Sequence, residues 1–229
     1  MLLFTWILLL TQGIETVDSS EFPRTLQIRA MTATVRIKNT TLKTEGSGVI
    51  VGRNSSVVYI LTAQHVVKDA NQLEVATFSE KSYPNENKIY REAKIVAKSG
   101  DLRDLALLRV ATDDQMPGQL SIRSLSVPLE GNGFYALSCG CSEGRGPTCL
   151  IKKVTGKKRV GRKVGGEVAT FWEWPEGGTR GRSGGPLVDR RGDLIGICSG
   201  TSDGKSYFSH TEEIHGFLKQ NAFHWLLER

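Results

Sequence analysis

Long apolar runs are missing from this chain of 229 residues. The longest, Leu2 to Leu10, covers about nine, where a helix spanning a bilayer needs about 20. Cysteine is scarce. The four present (Cys139, Cys141, Cys149 and Cys198) are too few to build a disulfide scaffold. They lack the paired spacing of zinc ligands and have no histidine beside them, so neither a metal nor any other cofactor is expected. Proline stops at 7 residues and charge of one sign does not dominate, with 30 Lys and Arg against 24 Asp and Glu. Those figures exclude a disordered chain and a collagen. No internal repeat is visible.

What is present points to a globular, strand-rich protein of one large domain or two small packed ones. The 25 glycines argue against a helical bundle, because glycine is costly inside helices and useful in turns. The cysteines leave two readings open. If Cys139-Gly140-Cys141 is extended, both side chains share a face and either reaches Cys149 across a short loop. Alternatively they are unpaired small hydrophobes, as is expected of Cys198 in the core. At the N-terminus the apolar run is followed by TQGIETVDSS. This resembles a secretory signal peptide over about residues 1–20, and predicts a secreted or extracytoplasmic protein, periplasmic or extracellular.

Short strands separated by turn signals fill the chain from about Gln27. Thr32 to Ile37, Gly46 to Val51, Val57 to Ala63, Leu73 to Phe78, Ala93 to Ala97 and Leu105 to Val110 are rich in apolar and β-branched residues. A polar, turn-rich stretch at 111–133 reads as a linker. A second group follows: Phe134 to Cys139, Leu150 to Val154, Val168 to Trp172, Gly185 to Val188, Leu194 to Ser199 and Ser206 to Phe208. Two such groups predict an all-β fold of two small antiparallel barrels or sandwiches. Ile214, Phe217, Leu218, Ala222 and Trp225 recur at helical spacing, with Ser209 and Glu212 at capping-box distance. Gly216 and Asn221 predict a short or broken helix.

Three motifs carry chemistry. TAQHVV places His65 after an apolar strand, DLALLRV places Asp104 before one, and GRSGGPLV sets Ser183 among glycines. Serine is a weak nucleophile that needs an adjacent base, histidine is the natural base near neutrality, and an aspartate fixes its tautomer. Glycines let backbone N–H groups approach a reacting carbonyl. Asp101 competes with Asp104, which alone abuts the apolar strand. His210, His215 and His224 have no such surroundings and are expected to be surface or packing residues.

In order and context these motifs resemble the trypsin-like (chymotrypsin-fold) serine peptidases, and most nearly the HtrA/Deg-type bacterial branch, over about residues 30–228. The resemblance implies two six-stranded antiparallel β-barrels (about 30–110 and 134–210) and a C-terminal helix (about 211–228), forming one peptidase domain over 27–228 without a PDZ domain. It implies Ser183 as nucleophile, His65 as general base and acid, and Asp104 as orienting carboxylate. The N–H groups of Gly181 and Ser183 become the oxyanion hole. Ser199 and Gly200 pair with substrate backbone. Gly177, six residues before Ser183, falls in the pocket for the residue preceding the scissile bond. No carboxylate stands there, so a small or apolar residue is expected, with Asp203 near the rim. Arg182 replaces the aspartate of zymogen-type members and cannot accept a salt bridge from a freed α-ammonium. Activation by N-terminal cleavage is therefore not expected. Arg180 and Arg182 read as solvated loop charges.

Lys152, Lys153, Lys157, Lys158, Arg159, Arg162 and Lys163 exceed by themselves the net charge of +6. They read as an exposed hairpin with Gly156 and Gly161 in its turns, or as a docking surface for an anionic polymer or membrane. No aromatics interleave, so no specific nucleic-acid partner is expected. The functional expectation is a serine endopeptidase acting on polypeptides. The competing one is a catalytically silent relative used as a secreted binding module.

Overall fold

The computed structural model describes residues 22–126, 129, 133–161 and 168–228. The export segment expected over 1–20, and the cations Arg162 and Lys163, lie outside the described residues. The architecture is all-β, with two sheets and few helices. After helix α1 (Arg24–Ala33) come β1 (Thr34–Asn39), β2 (Thr44–Asn54), β3 (Val57–Thr62), β4 (Leu73–Thr77), β5 (Lys88–Lys98) and β6 (Ala106–Ala111). These six strands form a closed antiparallel barrel in the order β1-β2-β3-β6-β5-β4.

The continuous apolar runs in β2, β3 and β6 reflect burial on both faces. Ile50, Ile60 and Leu108 fill the barrel interior beside Ile37 and Val75. Their neighbours Val49, Leu61 and Leu107 point the other way, into a core shared with Leu137, Val188, Ile197 and Phe217. Alternation along each strand thus supplies two cores at once, and burying each of these side chains contributes roughly 1.5–3 kcal/mol.

The second sheet comprises β7 (Tyr135–Cys141), β8 (Pro147–Lys153), β9 (Gly156–Gly161), β10 (Val168–Trp174), β11 (Pro186–Val188), β12 (Leu194–Ser202) and β13 (Lys205–His210). Its order is β8-β7-β11-β12-β13-β10-β9. The expectation of two six-stranded barrels is therefore corrected for this half. Among the described residues it has seven strands, and their hydrogen bonds do not close it. The added strand is β9, which pairs with β10 alone and lies at the sheet edge. Its sequence, GKKRVG, has one apolar residue and three cations, a composition that protects an edge from further pairing but hides the strand. Gly156 and Gly161 begin and end that strand instead of marking turns. Lys152 pairs with Glu176, Lys157 with Glu212 and Lys158 with Glu173, so much of the basic stretch is compensated locally.

Helix α1 was not expected. Its sequence, RTLQIRAMTA, buries only Ala30, Thr32 and Ala33, too few apolar positions to signal an amphipathic face. The 111–133 stretch packs as well. Leu120 and Ile122 are buried, and Ile122 bridges Leu194 of β12. The C-terminal helix α2 covers Thr211–Gln220, then breaks at Asn221 before a single 3-10 turn, His224–Leu227. No helix among the described residues is long and apolar enough to cross a membrane.

The cap of α2 is His210 instead of Ser209, whose hydroxyl donates to the Arg103 carbonyl. Glu212 N–H donates to His210 Nδ1 at 3.0 Å, and the ring packs on Trp172 with centroids 4.3 Å apart. Burial, helped by Lys157, pushes the His210 pKa down to about 4. In the unfolded chain it titrates near the usual value of about 6.5. Between these values only the unfolded state takes up the proton, so the contribution is complete above about pH 6.5 and is lost as pH falls toward 4. Urea denaturation at pH 7 and pH 4.5 is expected to show a loss from this residue of about 2–3 kcal/mol. His210→Asn keeps a cap acceptor and should flatten the dependence. Identical slopes for the two proteins would remove His210 as the cause.

Candidate active site

The site lies where the two sheets meet. Strand β3 ends at Thr62 and the chain turns through a short 3-10 segment, Gln64–Val67. Val66 and Val67 are buried there, while the side chain of His65 is 47% exposed. Asp104 precedes β6 in a left-handed conformation with φ 54°, which aspartate tolerates better than most residues. Its carbonyl accepts the Gln64 N–H at 3.1 Å. Its carboxylate accepts the His65 N–H at Oδ1 (2.9 Å) and His65 Nδ1 at Oδ2 (2.8 Å). A carboxylate only accepts, so Nδ1 carries the proton and Nε2 keeps its lone pair. Asp101 instead accepts from Gln64 Nε2 at 3.0 Å.

Ser199 Oγ also donates to Asp104 Oδ2, at 2.6 Å. A register shift between Cys198 and Gly200 bulges β12 at Ser199, and such bulges re-aim side chains. Beyond this point β12 pairs, among the described residues, only with β13. On its other side, contact ends with Gly184 N–H to Cys198 O (2.7 Å) and Cys198 N–H to Gly185 O (2.9 Å). Ser199 and Gly200 therefore begin a strand edge that is unpaired among the described residues.

Ser183 sits in the loop joining β10 to β11, with Gly181 and Gly184 at φ 91° and 85°. The Ser183 carbonyl accepts the Ser47 N–H at 2.7 Å. A Cβ at Gly46 would stand 2.6 Å from the Val66 methyls and 3.1 Å from Ser183 O. Only glycine lets the serine loop approach the His65 turn so closely. No hydrogen bond joins His65 to Ser183 among the described residues. The N–H groups of Arg182, Gly184 and Gly185 are all used, whereas those of Gly181 and Ser183 donate to nothing among the described residues.

Two residues of this region were not legible as such. Ser47, fully buried, donates through Oγ to Gly181 O (2.7 Å) and accepts the Cys141 N–H (2.8 Å). Arg182 is a correction: it is not a solvated charge but 6% exposed, with its guanidinium bonded to oxygens of Ser138 and Gly140 on β7 and Thr148 on β8. Arg180 is exposed. Gly177 lies against Gly204 in the β12–β13 turn. Ser199, Gly200 and Asp203 line an open cavity of about 350 Å³ with Leu102, Phe171 and Tyr207.

Cys139 and Cys149, directly opposed across β7 and β8, form a disulfide. Cys141 and Cys198 are free and buried. Burial pushes each thiol up to about 12, so neither is a thiolate nucleophile near neutral pH. No group of three or more His, Cys, Asp or Glu among the described residues is placed to hold a metal ion.

A closed barrel and a second antiparallel sheet, meeting at a His–Asp pair and a glycine-flanked serine, define a protein of the trypsin-like class. The chain belongs to the trypsin-like peptidase family, whose domain model matches residues 46–197. It is similar to the serine endoprotease DegS of Haemophilus influenzae, 34% identical over 156 residues that make up 67% of this chain and 41% of that one. DegS of Escherichia coli is 32% identical over 176 residues, 77% of this chain and 45% of its own. The periplasmic pH-dependent serine endoprotease DegQ of Escherichia coli is 30% identical over 152 residues, 66% of this chain and 30% of its own. The chain thus spans less than half the length of these relatives. Among solved structures, a serine endoprotease from Yersinia pestis superposes with a TM-score of 0.64 at 25% identity, covering 89% of this chain and 65% of that one. The Rv3671c protease of M. tuberculosis in its active form gives 0.71 at 19% identity, covering 88% and 86%.

Proposed function

We propose that the protein is a serine endopeptidase that cleaves polypeptides through an acyl-enzyme. The single observation that carries this reading is the His65–Asp104 pair. Its hydrogen bonds engage Nδ1 and leave Nε2 without a partner among the described residues. Ser183 Oγ attacks the scissile carbonyl while its proton passes to His65 Nε2. The Asp104 carboxylate stabilises the imidazolium that forms. The unused N–H groups of Gly181 and Ser183 take the developing oxyanion, each such donor contributing roughly 3–4 kcal/mol. His65 then gives its proton to the leaving amine. Water, deprotonated by the same imidazole, hydrolyses the ester and restores Ser183.

Substrate backbone adds as a strand to the free edge that begins at Ser199 and Gly200. Gly177 borders the place of the residue before the scissile bond, where a small or apolar side chain fits best. The cavity beyond Gly200 receives side chains further toward the substrate's N-terminus. Ion pairing of Lys152, Lys157 and Lys158 favours polypeptide over anionic polymer as the partner. The periplasmic relatives and the apolar N-terminal run together support action outside the cytoplasm.

The test is covalent labelling with a fluorophosphonate probe. Folded wild-type protein should be phosphonylated at Ser183, and Ser183→Ala should not react. An unlabelled wild type with native circular dichroism would overturn the reading in favour of a silent binding module.

A further inference from the structure

The Ser183 loop poses a mechanical problem. Gly181, Gly184 and Gly185 let it approach its neighbours, but glycine has more backbone freedom to lose than any other residue. Between Gly181 and Gly185 the only long side chain is that of Arg182. It runs away from solvent into the second sheet. Arg182 Nη1 donates to Gly140 O (3.3 Å), Thr148 O (3.2 Å) and Thr148 Oγ1 (3.0 Å). Nη2 donates to Ser138 O (2.9 Å) and Ser138 Oγ (3.3 Å).

Three features mark this seat as built for the side chain. Gly140 makes room: a Cβ there would stand 3.1–3.2 Å from Arg182 Cα, Cβ and Cγ. The acceptors come from both β7 and β8. No carboxylate lies within salt-bridge distance of Arg182 among the described residues. Burial disfavours its charge, and the oxygen cradle must compensate for the lost water. The strands that carry the cradle are cross-linked at the same level. Cys139 stands between Ser138 and Gly140, and Cys149 follows Thr148, so the disulfide holds the two rows of acceptors in register.

We propose that Arg182 is the positioning residue of the Ser183 loop, an internal latch whose seat on β7 and β8 is kept in register by the Cys139–Cys149 disulfide. The proposal rests on the peptidase reading for its catalytic consequence but not for its structural one. With Arg182 seated, the Gly181 and Ser183 N–H groups and Ser183 Oγ are held in their geometry without help from a chain terminus.

The experiment times fluorophosphonate labelling of Ser183 and measures kcat and KM for Arg182→Met, Arg182→Lys and Cys139→Ala/Cys149→Ala. Amide hydrogen exchange across residues 179–185 is followed in parallel. Displacing a reacting group by about 1 Å costs up to about 100-fold. Labelling and kcat are therefore expected to fall roughly 10- to 100-fold in Arg182→Met, with little change in KM. Arg182→Lys should recover part of this, because an ammonium reaches fewer of the acceptors. The cysteine variant should slow labelling in the same sense, and exchange of the loop should quicken in both. Wild-type rates and exchange in folded Arg182→Met would overturn the latch, and wild-type behaviour of the cysteine variant would overturn the disulfide's part in it. If Arg182→Met does not fold, Thr148→Val and Ser138→Ala remove one acceptor each, and wild-type behaviour of both overturns the latch. A wild type that never labels would refute the peptidase reading, while loop exchange in the variants would still decide the latch.

Discussion

Asp104→Asn is expected to lower kcat by about 10⁴-fold with the fold intact. The carboxylate accepts three hydrogen bonds, from the His65 N–H, His65 Nδ1 and Ser199 Oγ. Asparagine fills the same volume but has one accepting oxygen and an NH2 group. Once that NH2 faces Nδ1, the ring must accept there and carry its proton on Nε2. In the proposed mechanism Nε2 would then carry an N–H and could not take the Ser183 hydroxyl proton. The imidazolium of the transition state also loses its counter-charge. Steady-state kinetics on a peptide substrate, with circular dichroism to verify folding, makes the comparison. A variant within 10-fold of wild type would show that Asp104 does not act through His65. Ser199→Ala should cost far less, because two of the three donors remain.

The contrast between Asp104 and Arg182 shows what the sequence could convey. His65 follows β3, Asp104 precedes β6 and Ser183 lies in the loop before β11, each inside a local motif whose residue types suit their chemistry. Strands β2, β3 and β6 were readable because β-branched residues and leucines form runs where a strand is buried on both faces. The seat of Arg182 was not readable. Its acceptors lie 34 to 44 residues away, and they are mostly backbone carbonyls, which any residue supplies. The same holds for Ser47, whose partners are 94 and 134 residues distant. Strand β9 was hidden because its cations are edge protection instead of a patterned face. The disulfide partner of Cys149 stayed open between Cys139 and Cys141 because only the β7–β8 register, Cys139 opposite Cys149 and Cys141 opposite Pro147, chooses between them. Local chemistry was legible, whereas register and long-range carbonyl contacts required the fold.

The expected largest loss of stability falls on Asp189, outside the site. Its Oδ2 pairs with Arg123 Nη1, and both side chains are buried. Its Oδ1 accepts the Arg191 and Asp193 N–H groups at 2.9 and 3.0 Å, which shapes the turn between β11 and β12. Arg123 N–H bonds Leu194 O at 3.0 Å, and its carbonyl bonds His215 Nε2 at 2.9 Å. The pair thus staples the 111–133 stretch to β12 and α2. Asp189→Ala takes the Asp189 carboxylate away from a buried guanidinium and removes the Oδ1 acceptor of two turn donors. The cost is expected to be about 3–5 kcal/mol, a fall in Tm of about 10 °C for a domain of this size. The double variant Arg123→Met/Asp189→Asn removes both charges while keeping the Oδ1 acceptor, and should recover most of that loss, because breaking one side of a buried pair costs more than replacing both. Urea denaturation of the three proteins separates these contributions. If Asp189→Ala stays within 1 kcal/mol of wild type, the pair behaves as a surface ion pair, and burial of Leu120 and Ile122 with the backbone hydrogen bonds to Leu194 and Ile50 carries the attachment of this stretch.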